Sequence, residues 1–230
     1  MRRSTLTIGL VALAIAASGA TRAQPAASGL VYAITYFEVS PSAIAHTAVS
    51  AGQYAEASGK EPGSAGFEAF EEIGRPSRFA TVEAWRDTAA ASAHAAAAST
   101  HRFADQLRPA LVGPFEIRRF DGLSVVAPKA QGERHAVWVL THVDVFPAGK
   151  DQAVGLVKAL AEAGRQADGN LRFDVLQQQG HANHFALVEA WANASAFEAS
   201  LMSAPTRNFR QKLTPLEGAL YDERLYRALR

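Results

Sequence analysis

The hydrophobic positions of this 230-residue chain fall into short runs that occur twice. Residues 30–39 (LVYAITYFEV) and 136–145 (AVWVLTHVDV) are rich in β-branched and aromatic residues, the composition of a strand. Pro41 and Pro147 follow, where proline suits the first turn of a helix. In the second copy Val154, Val157, Leu160 and Ala161 make an apolar stripe at helical spacing. Gly63 and Gly169 close these helices, and strands are expected around Phe67 and Phe173. The polar turns EEIGRPSR (71–78) and QQQGHANH (177–184) lead back into FATVEAW (79–85) and FALVEAW (185–191), so each pair of strands reads as a hairpin. Asp87 and Asn193 are suited to cap a second helix that runs to Pro109 or Pro215. FEIRRF (115–120) and YDERLY (221–226) supply a last strand.

A shift of 106 residues superposes the copies without a gap. Val31, Thr35, Val39, Gly74, Leu107 and Arg118 fall on Val137, Thr141, Val145, Gly180, Leu213 and Arg224. The chain therefore reads as a tandem duplication, residues 30–121 and 136–227, joined by a linker at 124–135. The order β-α-β-β-α-β is the ferredoxin-like arrangement, an α+β class in which helices cover one sheet face. The bare face of each sheet needs a partner, and a second copy supplies it. The expectation is an intrachain α/β barrel, because each unit alone is near the size at which a core is marginal.

Composition narrows the setting. Arg2 and Arg3, the apolar run Leu6 to Ala17 and the small residues up to Ala23 read as a secretory signal over 1–23, cleaved at Ala23–Gln24. The expectation is a periplasmic or secreted protein with no membrane association after cleavage. The chain has no cysteine, which excludes disulfides and thiolate chemistry. Loss of the 3 arginines of the signal leaves 20 basic against 22 acidic residues, a net charge of −2 without a footprint for nucleic acid.

The repeat resembles the antibiotic biosynthesis monooxygenase (ABM) domain of the dimeric α/β-barrel superfamily. The resemblance rests on Gly63-x-x-x-Phe67, Phe79-x-x-Val82-Glu83-x-Trp85, His94 nine residues after Trp85, and Phe103-x-x-x-Leu107. It implies a cofactor-independent monooxygenase that oxidises a small aromatic or quinol substrate with molecular oxygen. It also leaves open a non-enzymatic binding protein for haem or another hydrophobic small molecule, or a scaffold without ligand. An internal pseudo-dimer would need no further subunit.

Strand alternation places Phe79, Thr81, Glu83 and Trp85 on one face and Ala80, Val82 and Ala84 on the other, without saying which face meets the helices. If the first face lines a cavity, Trp85 offers a flat wall and Glu83 a carboxylate of raised pKa. His94, on the next helix, suits a general base that deprotonates a phenol and so makes it electron-rich enough to reduce oxygen. Glu83 has an alternative use in pairing with Arg118. Phe79, Tyr36, His101, Trp191, Glu189 and His142 complete the candidate substrate-binding set, with Ser200 in the histidine place of the second copy. His181 and His184 belong to a turn and no metal site is expected. Residues 63–66 (GSAG) open a strand, not a helix, and make no phosphate cradle.

Overall fold

The structure, a computed structural model, describes residues 29–126 and 135–229; the expected signal at 1–23 and most of the expected linker lie outside them. In the first repeat the strands are β1 (Val31–Glu38), β2 (Ser64–Glu72), β3 (Arg78–Trp85) and β4 (Glu116–Ser124). Its helices are α1 (Ile44–Ser58), α2 (Thr88–Ala95) and α3 (Ala98–Leu107). The second repeat has β5 (Val137–Asp144), α4 (Lys150–Arg165), β6 (Asn170–Gln178), β7 (His184–Trp191), α5 (Ala194–Leu201), α6 (Ala204–Leu213) and β8 (Asp222–Leu229).

Neither sheet stays open. The eight strands close into one antiparallel barrel in the order β1-β3-β2-β8-β5-β7-β6-β4. Each repeat contributes four neighbouring strands, and the seams are β2 with β8 and β4 with β6. Closure removes the unpaired edges that a lone four-stranded sheet exposes to other chains. It also divides the core by strand alternation. Tyr32, Ile34, Phe70, Val82, Phe120, Leu140, Leu176, Val188 and Tyr226 point into the lumen. The opposite face of each half packs under its own helices, with Phe37, Phe79, Phe103 and Leu107 in the first repeat and Val157, Phe173, Leu187 and Phe209 in the second.

Local signals explain most boundaries. The Asp87 and Asn193 side chains accept from the backbone N–H of Ala90 and Ala196, as expected of N-caps. Gly63 and Gly169 have φ of +87° and +76°, and a Cβ on either would lie within 2.7 Å of Ala90 or Ala196. Only glycine combines that backbone with that close approach. One expectation needs correcting. The second helix of each repeat is two helices, broken at Ala96–Ala97 and at Met202–Ser203. In the second copy Ser203 caps α6 and Pro205 sits in its first turn. In the first copy the residues at the break are all alanine, and a side chain bridges it: the Thr100 hydroxyl donates to the His94 carbonyl at 2.7 Å.

Ionic groups also cross the lumen. Arg172 of β6 donates to Asp174 at 2.7 Å and, from the other repeat, to Glu68 of β2 at 3.2 Å. Its guanidinium lies 5.7 Å from the Trp138 ring centroid. At the other end the Tyr36 hydroxyl meets His142 Nε2 at 2.8 Å, joining equivalent positions of the two repeats.

Candidate functional site

The face carrying Glu83 and Trp85 is the one under the helices, where the first repeat encloses a cavity of about 280 Å³. Its floor comes from the outward positions of β1, β3 and β4, including Ala33, Thr81, Glu83, Trp85 and Arg119. Its roof comes from Tyr54 of α1, Ala91 and His94 of α2, and Thr100, Phe103 and Ala104 of α3. Gln179, from the β6–β7 turn of the second repeat, reaches the rim, where its backbone N–H donates to the Arg119 carbonyl at 2.9 Å.

His94 is anchored on all sides. Its ring stacks on Trp85 at 4.6 Å between centroids and 27° between planes. Nδ1 lies 2.9 Å from Glu61 Oε2, so a carboxylate holds the proton on that nitrogen and leaves Nε2 as the reactive one. Nε2 lies 2.9 Å from the Tyr54 hydroxyl and 3.6 Å from Glu83 Oε2. Tyr54 in turn donates to Thr100 Oγ1 at 3.2 Å, and Thr100 donates to the His94 carbonyl. A proton on Nε2 therefore enters a closed ring of hydrogen bonds. Burial pushes Tyr54 up to about 12, so it stays a phenol and relays through its hydroxyl.

Glu83 is the group with a free acceptor. Its Oε2 accepts from Trp85 Nε1 at 2.6 Å, while its Oε1 has no partner among the described residues. Burial holds this carboxyl above its ordinary range, against the lowering effects of the Trp85 N–H, His94 and Arg119. A carboxyl with raised basicity, one oxygen oriented by an indole and the other open to the cavity, is suited to take a proton from a bound ligand. The alternative pairing of Glu83 with Arg118 is not made, since Arg118 bonds Glu116 and points to the lumen beside Tyr36.

The other expected residues separate into three groups. Glu189 and Trp191 repeat the first-copy geometry, with the Trp191 indole donating to Glu189 at 2.9 Å beside a second cavity of about 90 Å³. Tyr36 and His142 face the lumen and bond each other, so they do not line the first-repeat cavity; lumen burial pushes His142 down to about 3 and keeps it neutral. Phe79 lies deeper, stacked on Phe37 at 5.5 Å, and His101 is exposed on the outer side of α3. His181 and His184 sit together at the hairpin turn, and the described residues hold no cluster of three metal-ligating side chains. Sequence reasoning missed Tyr54, Glu61, Thr100 and Arg119. Comparison of the copies could have raised three of them, since Leu160, Ala167 and Leu225 replace Tyr54, Glu61 and Arg119 in the second, whereas Thr100 is kept as Thr206.

The same comparison explains the smaller second cavity. Phe197 stands where the first copy has Ala91, Leu201 where it has Ala95, and Arg210 where it has Ala104. Arg210 covers the Tyr221 ring at 3.3 Å and bonds Glu223 at 3.3 Å, so the space is taken by the protein itself. Glu189, enclosed there, is raised by burial to about 8. A carboxyl so raised stabilises the fold below its unfolded value near 4.5, and that contribution is lost as pH rises through about 8. Glu189→Gln is therefore expected to reduce the loss of stability between pH 5 and pH 8, where one such group contributes a slope of about 1.4 kcal/mol per pH unit. Urea midpoints of both proteins across that range check it, and parallel curves would refute it.

The barrel and the first-repeat cavity define a two-repeat α+β protein with a carboxylate–imidazole–indole site in one half. The sequence profile described as antibiotic biosynthesis monooxygenase matches residues 30–106 and 136–212, and the chain belongs to that family. None of the curated proteins compared matches it. Among solved structures it is similar to a Fusobacterium nucleatum protein provisionally described as a monooxygenase, with a TM-score of 0.81, 16% identity, and coverage of 88% of this chain and 94% of that one. A Lactobacillus acidophilus protein described in the same way has a TM-score of 0.74 at 14% identity, covering 88% and 95%. An anthrone oxidase-like protein has a TM-score of 0.67 at 12% identity, covering 88% and 92%. At these identities the likeness concerns the fold.

Proposed function

We propose that the protein is an exported monooxygenase that oxidises a small phenolic or anthrone-like ring in the first-repeat cavity, with molecular oxygen as co-substrate. The observation that carries this reading is Glu83 Oε1, an open carboxylate oxygen in an aromatic-walled cavity, backed by His94 and the Glu61 carboxylate. The ring lies between Trp85 and Phe67 on one side and the α2–α3 roof on the other. Glu83 takes the acidic O–H or C–H proton of the substrate, and His94 Nε2 is placed to take it onward. Glu61, a quarter exposed, links Nδ1 to solvent. The carbanion or phenolate passes one electron to oxygen, and the two radicals combine at carbon. The resulting peroxide then loses water, so that a CH₂ group and O₂ become C=O and H₂O. Phe67, Phe103 and Trp85 shield that intermediate from solvent.

A cavity of about 280 Å³ is near the lower end of small-molecule pockets, which supports a substrate of two or three fused rings over a porphyrin. Export is supported by the apolar run Leu6 to Ala17 behind Arg2 and Arg3. The test is oxygen uptake by the mature protein with anthrone and 1-naphthol at neutral pH. One oxygen consumed per ring oxidised is the expected result; uptake no faster than in buffer with every ring tried sinks the reading.

A further inference from the structure

One row of side chains runs across the floor of this cavity. Ala33 of β1 pairs with Glu83 of β3 on one side and with Arg119 of β4 on the other. All three point to the helix-covered face, and all three line the cavity. Adjacent strands are about 4.8 Å apart, so a carboxylate and a guanidinium stand about 10 Å apart at the backbone with only a methyl group between them. Arg119 makes no ion pair or side-chain hydrogen bond among the described residues, though its charge acts on Glu83 across the row, whereas its neighbour Arg118 is held by Glu116. The backbone bond from Gln179 fixes its strand at the cavity rim.

The second repeat shows the row without these features. There the corresponding residues are Glu189, Val139 and Leu225. The carboxylate is kept, the floor is raised by a valine, and the cation is gone. The half that has filled its cavity has also lost the arginine, while Glu189–Trp191 is retained in both. Arg119 is thus tied to the open cavity and not to barrel assembly.

Resting on the proton-abstraction reading above, the geometry points to a substrate that is a planar phenol carrying a carboxylate at the far end of its ring system. The acidic hydroxyl meets Glu83, the rings lie over Ala33, and the carboxylate is read by the Arg119 guanidinium. A planar fork of donors matches a carboxylate in geometry as well as in charge.

The experiment is calorimetric titration of the mature protein with 6-hydroxy-2-naphthoate, which carries hydroxyl and carboxylate at opposite ends of two fused rings, and with 2-naphthol, which lacks the carboxylate. Wild type is expected to bind the naphthoate about tenfold more tightly, as suits a charge-assisted bond at a partly solvated rim. Arg119→Leu, which installs the second-repeat residue at an exposed position, removes the preference, so that the two ligands bind with equal affinity. Ala33→Val weakens both ligands. Equal affinity of wild type for the two ligands overturns the inference. So does a preference that survives Arg119→Leu, or indifference of both ligands to Ala33→Val. The absorption band of bound naphtholate reports deprotonation separately: a carboxylate preference without that band upholds the role of Arg119 and overturns the role of Glu83 as base. Absence of binding by either ligand at millimolar concentration overturns both.

Discussion

If the proposed function holds, Glu83→Gln and His94→Gln are each expected to lower oxygen-dependent turnover by about 10²- to 10⁴-fold, the range a positioned proton acceptor contributes, with the double variant no slower than the worse of the two. The expectation of non-additivity follows from the geometry. The carboxyl and the imidazole are 3.6 Å apart and share one proton path, with Trp85 holding both: its indole N–H bonds Glu83 and its ring stacks on His94. Groups acting as one unit cannot lose their contribution twice. Glutamine keeps the shape and an acceptor oxygen for the Trp85 N–H, so Glu83→Gln separates basicity from packing. The measurement is kcat by oxygen electrode for the single and double variants, together with KM. Losses that multiply in the double variant, or a Glu83→Gln enzyme that keeps most of its rate, would show that the pair does not handle the proton together. A change confined to KM would place Glu83 among binding groups only.

The second large effect concerns the barrel. Arg172→Ala is expected to destabilise the protein by about 3–5 kcal/mol, the cost of leaving a buried charge without its partner. Arg172 and Asp174 are 6% and 1% exposed, and the same guanidinium bonds Glu68 across the lumen from the other repeat. Burial already holds Glu68 above its ordinary range, with Arg172 the main opposing influence. Removing the cation leaves two carboxyls facing each other at one end of the lumen. Adding Asp174→Asn to Arg172→Ala is expected to recover part of the loss, because the deepest uncompensated charge is then gone. Chemical denaturation at pH 7 checks both. A loss below about 1 kcal/mol would mean that the cluster is solvated enough to be dispensable.

Much of this architecture was legible in the chain. The 106-residue register, the β-α-β-β-α-β order and the caps at Asp87 and Asn193 all follow from local residue types, because strand composition, capping and glycine geometry depend on neighbours in sequence. Glu83 and Trp85 were legible as a pair because a strand of period two places residues i and i+2 side by side. The histidine at position 94 was legible as a candidate but not as a buried one, since the alanines around it fit a solvated helix equally well. The break after Ala95 was invisible for the same reason: no cap residue or proline marks it in the first copy, and the Thr100 hydroxyl that bridges it reaches back to a carbonyl six residues earlier, outside any capping pattern.

The sequence by itself determined that two homologous α+β units share one chain, that cysteine chemistry is absent, and that an aromatic–carboxylate pair recurs in both. Only the tertiary structure decided which sheet face is which. Barrel closure turned Tyr36 and His142 inward to each other and Glu83 and Trp85 outward beneath the helices, a choice that alternation cannot make because it fixes relative and not absolute facing. The inequality of the halves was likewise settled in three dimensions. Phe197, Arg210, Val139 and Leu225, spread over α5, α6, β5 and β8, converge on one volume and fill it, while their counterparts in the first repeat leave it open.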